Sequence, residues 1–170
     1  MTKCLVLRRL TRAMFQDGPI EGVVLQPLKR FRDERGWLVE LFRDDELGAT
    51  NRPVMAYVSM TLPGVARGPH EHREQADRFG FLGPSNFKLY LWDNRPGSPT
   101  YKNRQLLLVG EADPQAIVIP PGVAHAYKNV GEVPGLVYNL PDQLYAGNEK
   151  KGPVDELRHE DDPDTPFVLE

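Results

Sequence analysis

Glycine and proline punctuate this chain from end to end. The 170 residues include 15 glycines and 16 prolines, which are spread along the sequence rather than gathered in one linker. Because these two residue types interrupt regular structure, their spacing leaves room only for short segments between turns. The segments themselves are rich in β-branched and aromatic residues and show no sustained helical period. The sequence therefore predicts an all-β protein.

The predicted strands are short, and one of them alternates clearly. Phe87, Leu89 and Leu91 fall on one face of a strand, and the residues between them fall on the other. Closing such strands into a barrel or a two-sheet sandwich hides the edges of the sheets. We therefore expect a jelly-roll antiparallel β-barrel or sandwich with short irregular termini. The predicted strands are 22–26, 37–42, 54–62, 87–92, 104–109, 116–119, 124–129 and 135–140.

Length and composition define the broad class. A chain of 170 residues fits one domain, here 1–170, with a core over about 20–145 and a polar C-terminal segment over 146–170. A net charge of −3 gives no basic field for nucleic acid, and the apolar runs are too short to span a bilayer. The single cysteine, Cys4, excludes an internal disulfide, so we expect a cytoplasmic protein.

Three of the four histidines fall in two segments flanked by turns. His70 and His72 are two residues apart, which places both side chains on one face of a strand. His125 follows the turn formed by Pro120 and Gly122. The pattern Pro-x-Gly-x-x-His-x-x-x-Asn over 120–129 resembles the second signature of the cupin superfamily. Together the two segments predict a histidine site inside a β-barrel.

Further blocks resemble the dTDP-4-dehydrorhamnose 3,5-epimerase family, which belongs to the cupin superfamily. They occur in the family's order and cover residues 20–165, nearly the whole chain. The matching blocks are the Asp-Glu-Arg-Gly stretch within 31–40, Arg-Gly-Pro-His at 67–70, Asp-x-Arg-x-x-Ser-Pro-Thr-Tyr at 93–101, Ile-Pro-x-Gly-x-Ala-His at 119–125, Val-Tyr at 137–138 and Asp-Asp-Pro at 161–163.

The resemblance implies proton transfer next to a ketone, in rhamnose-type deoxysugar biosynthesis. A carbon beside a carbonyl loses its proton only if the resulting enolate is stabilised, so the site needs a base, an acid and a group that polarises the oxygen. By family position His70 is the base and Tyr138 is the acid. The family's chemistry uses no cofactor, and it implies a metal-free site.

The resemblance also implies a nucleotide-sugar substrate and a set of residues that contact it. Arginine forks match the geometry of phosphate oxygens, so Arg35 and Arg67 are candidates for the diphosphate. Arg78 stands where the family places a lysine that polarises the substrate oxygen. The full predicted set of substrate contacts is Arg35, Glu40, Arg67, His72, Arg78, His125 and Tyr145. Family members form homodimers by exchanging N-terminal strands, so a homodimer is expected.

Two departures from the family pattern keep other functions open. The family's paired catalytic aspartate lies beyond the Asp-Asp-Pro block and has no counterpart here, although Glu74 is a possible substitute. The family usually has glutamine where this chain has His72, and Asp77 follows at the spacing of a metal-binding cupin. The alternatives are therefore a metal-dependent isomerase or dioxygenase, with ligands His70, His72, Asp77 and His125, and a sugar-nucleotide-binding paralogue without activity.

A third departure concerns the nucleoside. The family's Gln-x-Asn contacts map near Met55 to Tyr57, so Tyr57 is a candidate to stack on the base in their place.

Overall fold

The computed structural model describes residues 15–47 and 51–170. The sequence of the first 17 residues is compatible with a strand or a short helix, and this segment lies almost entirely outside the described residues. No helix within the described ranges has the length and apolar character needed to cross a membrane. A 3₁₀ turn lies at Asp44–Glu46.

Strands build nearly all of the regular structure in these ranges. In chain order they are β1 (Gln16–Asp17), β2 (Val24–Pro27), β3 (Phe31–Asp33), β4 (Gly36–Leu38), β5 (Tyr57–Thr61), β6 (Ala66–Glu71), β7 (Asp77–Phe81), β8 (Asn86–Asp93), β9 (Asn103–Gly110), β10 (Gln115–Ile119), β11 (Val123–Asn129), β12 (Gly135–Asn139) and β13 (Leu157–Arg158). The predicted all-β fold is thus confirmed.

The strands form two large sheets and one hairpin. One sheet has the order β1-β9-β8-β11-β6-β13, and the other has the order β2-β10-β7-β12-β5. Strands β3 and β4 pair as a separate hairpin. Neither large sheet closes on itself. The fold is therefore an open jelly-roll sandwich, one of the two forms that the sequence predicts.

The main core fills the space between the two sheets. Phe87, Leu89 and Leu91 of β8 are fully buried there, as their alternation predicts. Phe79, Phe81 and Tyr127 join them from the neighbouring strands. Tyr90 and Trp92, on the other face of β8, are also buried, because Phe167 near the end of the chain covers them. Both faces of this sheet are therefore packed.

The C-terminal segment is part of the sandwich rather than an irregular surface tail. Strand β13 pairs with β6, so that Leu157 lies opposite Glu71 and Arg158 opposite His70. Although it is rich in charged residues, the segment is held by this pairing and by the packing of Phe167. Its position brings residues 153–160 to one end of the sandwich.

Two strands that carry residues of the histidine group, β6 and β7, were not among the eight predicted strands. Strand β7 reads Asp-Arg-Phe-Gly-Phe, and a buried carboxylate and a glycine mask its apolar alternation. Gly80 has little room for a side chain, since an added Cβ would lie 2.8 Å from a methyl group of Leu41. The position therefore favours glycine for close packing.

Candidate active site

A cavity of about 1130 Å³ opens at one end of the sandwich. One wall is formed by Tyr57, Ser59, His70, His72 and Tyr127, which lie on strands β5, β6 and β11 or just beyond them. The segment over residues 141–160 forms the facing wall. The volume is ample for a small organic ligand, and the lining combines aromatic rings with charged groups.

Four side chains that are distant in sequence meet at the base of this cavity. One nitrogen from each of His70, His72 and His125 and one oxygen of Asp77 all lie within 4.8 Å of one another. The pairing of β11 with β6 sets His125 directly opposite His70. The predicted histidine site is thus formed, and it includes the carboxylate that follows His72 at metal-cupin spacing.

Asp77 lies at the centre of the group. Its Oδ2 is 3.2 Å from Nε2 of His72 and 3.2 Å from Nε2 of His125. Gln75 and Asn139 donate hydrogen bonds to its other oxygen, Oδ1. Burial by itself would raise the pKa of this carboxyl, but the two facing imidazoles hold the pKa well below its ordinary value.

The histidines differ sharply in their affinity for a proton. Burial, together with the neighbouring His125 and His72, lowers the pKa of His70 to about 2. Burial also disfavours the charged form of His72, but contact with Asp77 outweighs this and raises the pKa of His72 to about 9. In the metal-free protein His70 is therefore neutral, and His72 carries the positive charge beside Asp77.

The structure does not bring Tyr138 together with His70. On β12 the residues that face inward are Val137 and Asn139, so Tyr138 points to the opposite face of the sheet. There it packs against a small cluster formed by Leu28, Leu82 and Ala116. The expected pairing of His70 with Tyr138 as base and acid is corrected on this ground.

Arg78 is turned away from the cavity for the same reason. It follows Asp77 on β7, and consecutive residues of a strand point to opposite faces. Its guanidinium lies near Gln26 of β2, at 3.4 Å from Oε1, and burial lowers its pKa. The expectation that Arg78 polarises a substrate oxygen in this cavity is corrected accordingly.

Arg35 and Glu40 also lie outside the cavity of their own chain. Arg35 is exposed in the β3–β4 hairpin and pairs with Asp33. Glu40 is 3.4 Å from Arg43, beside a shallow depression of about 130 Å³. Within one chain neither residue reaches the histidine group.

Two of the other predicted contacts do line the cavity. The Arg67 guanidinium donates to the hydroxyl of Thr61 and to the carbonyl of Met60, which fixes its position at the wall. Tyr145 lies on the opposite wall and is well exposed to the cavity and solvent. His125 lies behind His70 and is almost completely buried, so it contacts the other histidines rather than the open space.

Asp155 and Tyr127 were missed by the sequence reasoning. The carboxylate of Asp155 accepts hydrogen bonds from the backbone N–H groups of Arg73, Glu74 and Gln75 and so fixes the loop after His72. Glu74, the possible substitute for the missing aspartate, lines the cavity on this loop. No local pattern marks Asp155, because its role depends on the return of the C-terminal segment.

Two tyrosines line the same cavity as His70 and His72. Tyr57 was expected as a stacking residue, yet its hydroxyl accepts a hydrogen bond from Asn139, which also binds Asp77. Burial raises the pKa of Tyr57 to about 12. The hydroxyl of Tyr127 is 2.9 Å from that of Ser59, and burial raises its pKa as well. Both phenols therefore stay protonated and can act as hydrogen-bond donors.

An open jelly roll with clustered histidines at the base of a deep cavity defines a cupin-like protein with a small-molecule site. Comparison with known families is more specific. The chain belongs to the dTDP-4-dehydrorhamnose 3,5-epimerase family, which matches residues 17–155. This family consists of sugar epimerases, so the chain is an enzyme of the isomerase class.

Two curated relatives are similar over most of their length. The probable low-salt glycan biosynthesis epimerase Agl13 of Haloferax volcanii is 38% identical over 127 residues, which cover 74% of this chain and 81% of that protein. The spore coat polysaccharide biosynthesis protein SpsL of Bacillus subtilis is 35% identical over 144 residues, which cover 81% and 91%.

Solved structures share the fold. A dTDP sugar isomerase from Desulfovibrio desulfuricans has a TM-score of 0.76 and 24% identity, covering 88% of this chain and 91% of that chain. ChmJ, a 3'-monoepimerase from Streptomyces bikiniensis, has a TM-score of 0.72 and 21% identity, covering 91% of this chain and 78% of its own. At such identities the likeness concerns the fold alone.

Proposed function

We propose that the protein epimerises a nucleotide-linked 4-keto-6-deoxysugar by removing a proton beside the ketone and returning it to the other face. One observation carries the proposal: His70 lies in the wall of the same large cavity as Tyr57 and Tyr127. Membership of an epimerase family supports the reaction class. The names of the solved relatives, which include a dTDP sugar isomerase and a complex with dTDP-4-keto-L-rhamnose, support the substrate class.

His70 is the proposed base. A base must be unprotonated before it acts, and the low pKa of His70 keeps its lone pair free at any ordinary pH. The same low pKa makes His70 a weak base. Deprotonation therefore depends on strong stabilisation of the enolate by the surrounding donors.

Tyr57 is the proposed acid in place of Tyr138. Because Asn139 donates to its oxygen, the Tyr57 hydroxyl keeps its own proton for the substrate. The hydroxyl of Tyr127 forms a hydrogen bond with that of Ser59, and we assign it the role of binding the ketone oxygen. Arg67 and Arg158, which also line the cavity, supply positive charge for a diphosphate.

The proposed reaction needs no cofactor. A proton leaves one carbon and returns to it, so the substrate is neither oxidised nor reduced, and no electron carrier is consumed. Whether one or two carbons are epimerised depends on which C–H bonds of the sugar reach His70. We expect the carbons that incorporate deuterium to be the ones that are epimerised.

We also propose that two chains associate through the free edge of β5 and the β3–β4 hairpin. Strand β5 ends its sheet, and among the described residues no strand pairs with its outer edge. Val58, Met60 and Leu62 are exposed along this region, and the hairpin exposes Trp37 and Leu38. Exposed apolar side chains in such numbers are typical of an interface.

Sedimentation analysis tests the dimer. We expect the wild-type protein to sediment as a dimer and the Met60→Asp variant, which charges the surface, to sediment as a monomer. A charge added to the exposed Leu108, on β9 of the other sheet, is the matched control. Wild-type protein that sediments as a monomer at high concentration overturns this part of the proposal.

Solvent deuterium incorporation tests the function. The protein is incubated in heavy water with dTDP-4-keto-6-deoxyglucose and a chelator, and C3 and C5 of the sugar are followed by NMR. We expect deuterium at one or both carbons. Tight binding of the substrate without any exchange would instead support a sugar-nucleotide-binding protein and overturn the proposed reaction.

A further inference from the structure

The base of the cavity contains three electron-pair donors that face one another. Nε2 of His72 and Nε2 of His125 both lie 3.2 Å from Oδ2 of Asp77. Each of these atoms carries a lone pair when the imidazoles are neutral. Lone pairs at this separation repel unless a positive charge lies between them. In the metal-free protein the proton on His72 supplies that charge, and a metal ion bound by all three atoms can take its place.

Backbone carbonyls fix the tautomers that create this arrangement. Nδ1 of His125 is 3.0 Å from the carbonyl oxygen of Val123, and Nδ1 of His72 contacts the carbonyl oxygen of Asp155. A carbonyl can only accept, so the proton of each neutral ring is on Nδ1. The lone pair of each ring is then on Nε2, directed at Asp77. Metal-ligating histidines are usually held by a second contact of this kind.

Two of the converging atoms are buried without a hydrogen bond. Within the described ranges, neither Oδ2 of Asp77 nor Nε2 of His125 has a hydrogen-bond partner, and both residues are 1% exposed. The other oxygen of Asp77 is fully engaged by Gln75 and Asn139, which hold the carboxylate in one orientation. An unpaired buried polar atom costs about 1–3 kcal/mol, so a missing partner is expected here.

We propose that His70, His72, Asp77 and His125 bind one divalent transition-metal ion. Three imidazole nitrogens and one carboxylate oxygen suit Zn²⁺, Mn²⁺, Fe²⁺, Co²⁺ or Ni²⁺ far better than Mg²⁺ or Ca²⁺, which prefer oxygen ligands. Because His70 and His72 line the cavity, the ion faces the space where a small molecule binds. Remaining coordination positions are open to water or substrate oxygens.

The metal site has a consequence for the proposed reaction. A nitrogen lone pair bound to a metal cannot accept a proton, so His70 cannot be ligand and base at once. We therefore expect metal loading to suppress deuterium incorporation by at least tenfold. This consequence rests on the proposed function, whereas metal binding itself does not.

The test measures metal binding directly. Full-length protein without a histidine tag is stripped with chelator, dialysed, and titrated with Zn²⁺, Ni²⁺ and Mn²⁺ by calorimetry, and the bound metal is counted by elemental analysis. We expect one ion per chain and a raised unfolding temperature. Asp77→Asn and His72→Gln are each expected to weaken binding by at least about 100-fold.

The matched control is His159→Gln, since His159 contacts Glu71 and lies outside the four-residue group. It is expected to bind metal as the wild-type protein does. Circular dichroism in chelator shows whether each variant is folded. The absence of stoichiometric binding in the wild-type protein, or equal binding in Asp77→Asn, overturns the proposal, because protons alone would then fill the site.

Catalysis gives a separate result. If metal binds but deuterium incorporation rises with loading, the metal site stands and the role of His70 as base is overturned. If metal binds and no incorporation occurs in any state, the metal site stands and the proposed function fails.

Discussion

Asp77 and Asp93 are both buried carboxylates at the ends of strands, and they differ in almost every other respect. Asp93 accepts five hydrogen bonds, all from Arg95, Ser98 and Thr100 in the turn that follows it. Asp77 accepts two on one oxygen, and its other oxygen faces two histidines without a hydrogen bond. The two carboxylates are therefore equally buried, but only Asp93 accepts hydrogen bonds on both of its oxygens.

The comparison separates a structural carboxylate from one that is available for chemistry. The donors around Asp93 come from residues 95–100, so its turn can form locally and holds the end of β8 against β9. Among the groups around Asp77, Gln75 and His72 are near in sequence, but His125 and Asn139 come from β11 and β12. The full set therefore meets only when the sandwich has assembled. A buried polar group left unsatisfied by a complete fold indicates a function.

The first prediction concerns catalysis and has the largest expected effect. His70→Asn removes the proposed base while keeping a polar side chain, so we expect deuterium incorporation to fall by at least about 1000-fold. Unfolding in urea, measured on the same samples, should show that the variant is folded. A folded variant with at least a tenth of the wild-type rate would contradict the role of His70.

The second prediction applies one substitution to the structural carboxylate. Asp93→Asn places an N–H group among donors from Ser98, Thr100 and Arg95, and it removes the charge opposite Arg95. We expect the free energy of unfolding to fall by about 3 kcal/mol, as when a buried, hydrogen-bonded charge pair is broken. Urea denaturation measures the change. A loss below about 1 kcal/mol would mean that the turn is not what stabilises the end of β8.

The third prediction concerns the two tyrosines. Tyr57→Phe removes the proposed acid, and we expect turnover to fall by about 100-fold while deuterium still reaches the substrate slowly. Tyr138→Phe is the control, since that side chain packs on the opposite face among apolar residues. It should change the rate by less than about threefold. The reverse result would restore Tyr138 as the acid.

The fourth prediction concerns acid. Burial raises the pKa of Asp93, but its hydrogen bonds with Arg95, Ser98 and Thr100 outweigh burial and lower the pKa to about 2. Because this value is below the ordinary 3.8, the resulting stability is present above about pH 4 and is lost as the pH falls towards 2. We expect about 2 kcal/mol of pH-dependent stability that Asp93→Asn lacks. The free energy of unfolding, measured in urea between pH 5 and 2.5, tests this. The same dependence on pH in the wild-type protein and in Asp93→Asn would contradict the prediction.

The fifth prediction repeats the second substitution at the other carboxylate and has the smallest effect on stability. In Asp77→Asn the oxygen still accepts from Gln75 and Asn139, and the new amide group donates to a histidine lone pair. Without the carboxylate, His72 no longer holds its extra proton, so no buried charge is left unpaired. We therefore expect the unfolding free energy of the metal-free protein to fall, but by less than in Asp93→Asn. A loss as large as that of Asp93→Asn would show that the two carboxylates have the same structural role.

Much of the fold was predictable because its signals are local. The alternation of Phe87, Leu89 and Leu91 predicted β8 correctly. The spacing of His70, His72 and Asp77 and the Pro-x-Gly turn before His125 together predicted the histidine group. These signals depend on the period of a strand and on turn chemistry, which a sequence displays directly.

The rest depends on which face of a strand is inward and on contacts between distant segments. On β12, Leu136 and Tyr138 alternate with Val137 and Asn139, and both faces are partly buried, so the apolar pattern did not reveal that Asn139 faces the site. The position of Tyr138 in a family motif likewise led to a wrong prediction, because its side chain lies on the face of β12 that points away from the cavity. Asp155 and the pairing of β13 with β6 join the chain's end to its middle, which no local pattern encodes.

The most direct test of the account is the rate of deuterium incorporation at C3 and C5 of dTDP-4-keto-6-deoxyglucose, measured in chelator for the wild-type protein and for His70→Asn at equal folded concentration. The account predicts clear incorporation by the wild-type protein and none above background by the variant. Equal incorporation by both, or none by the folded wild-type protein, would contradict it.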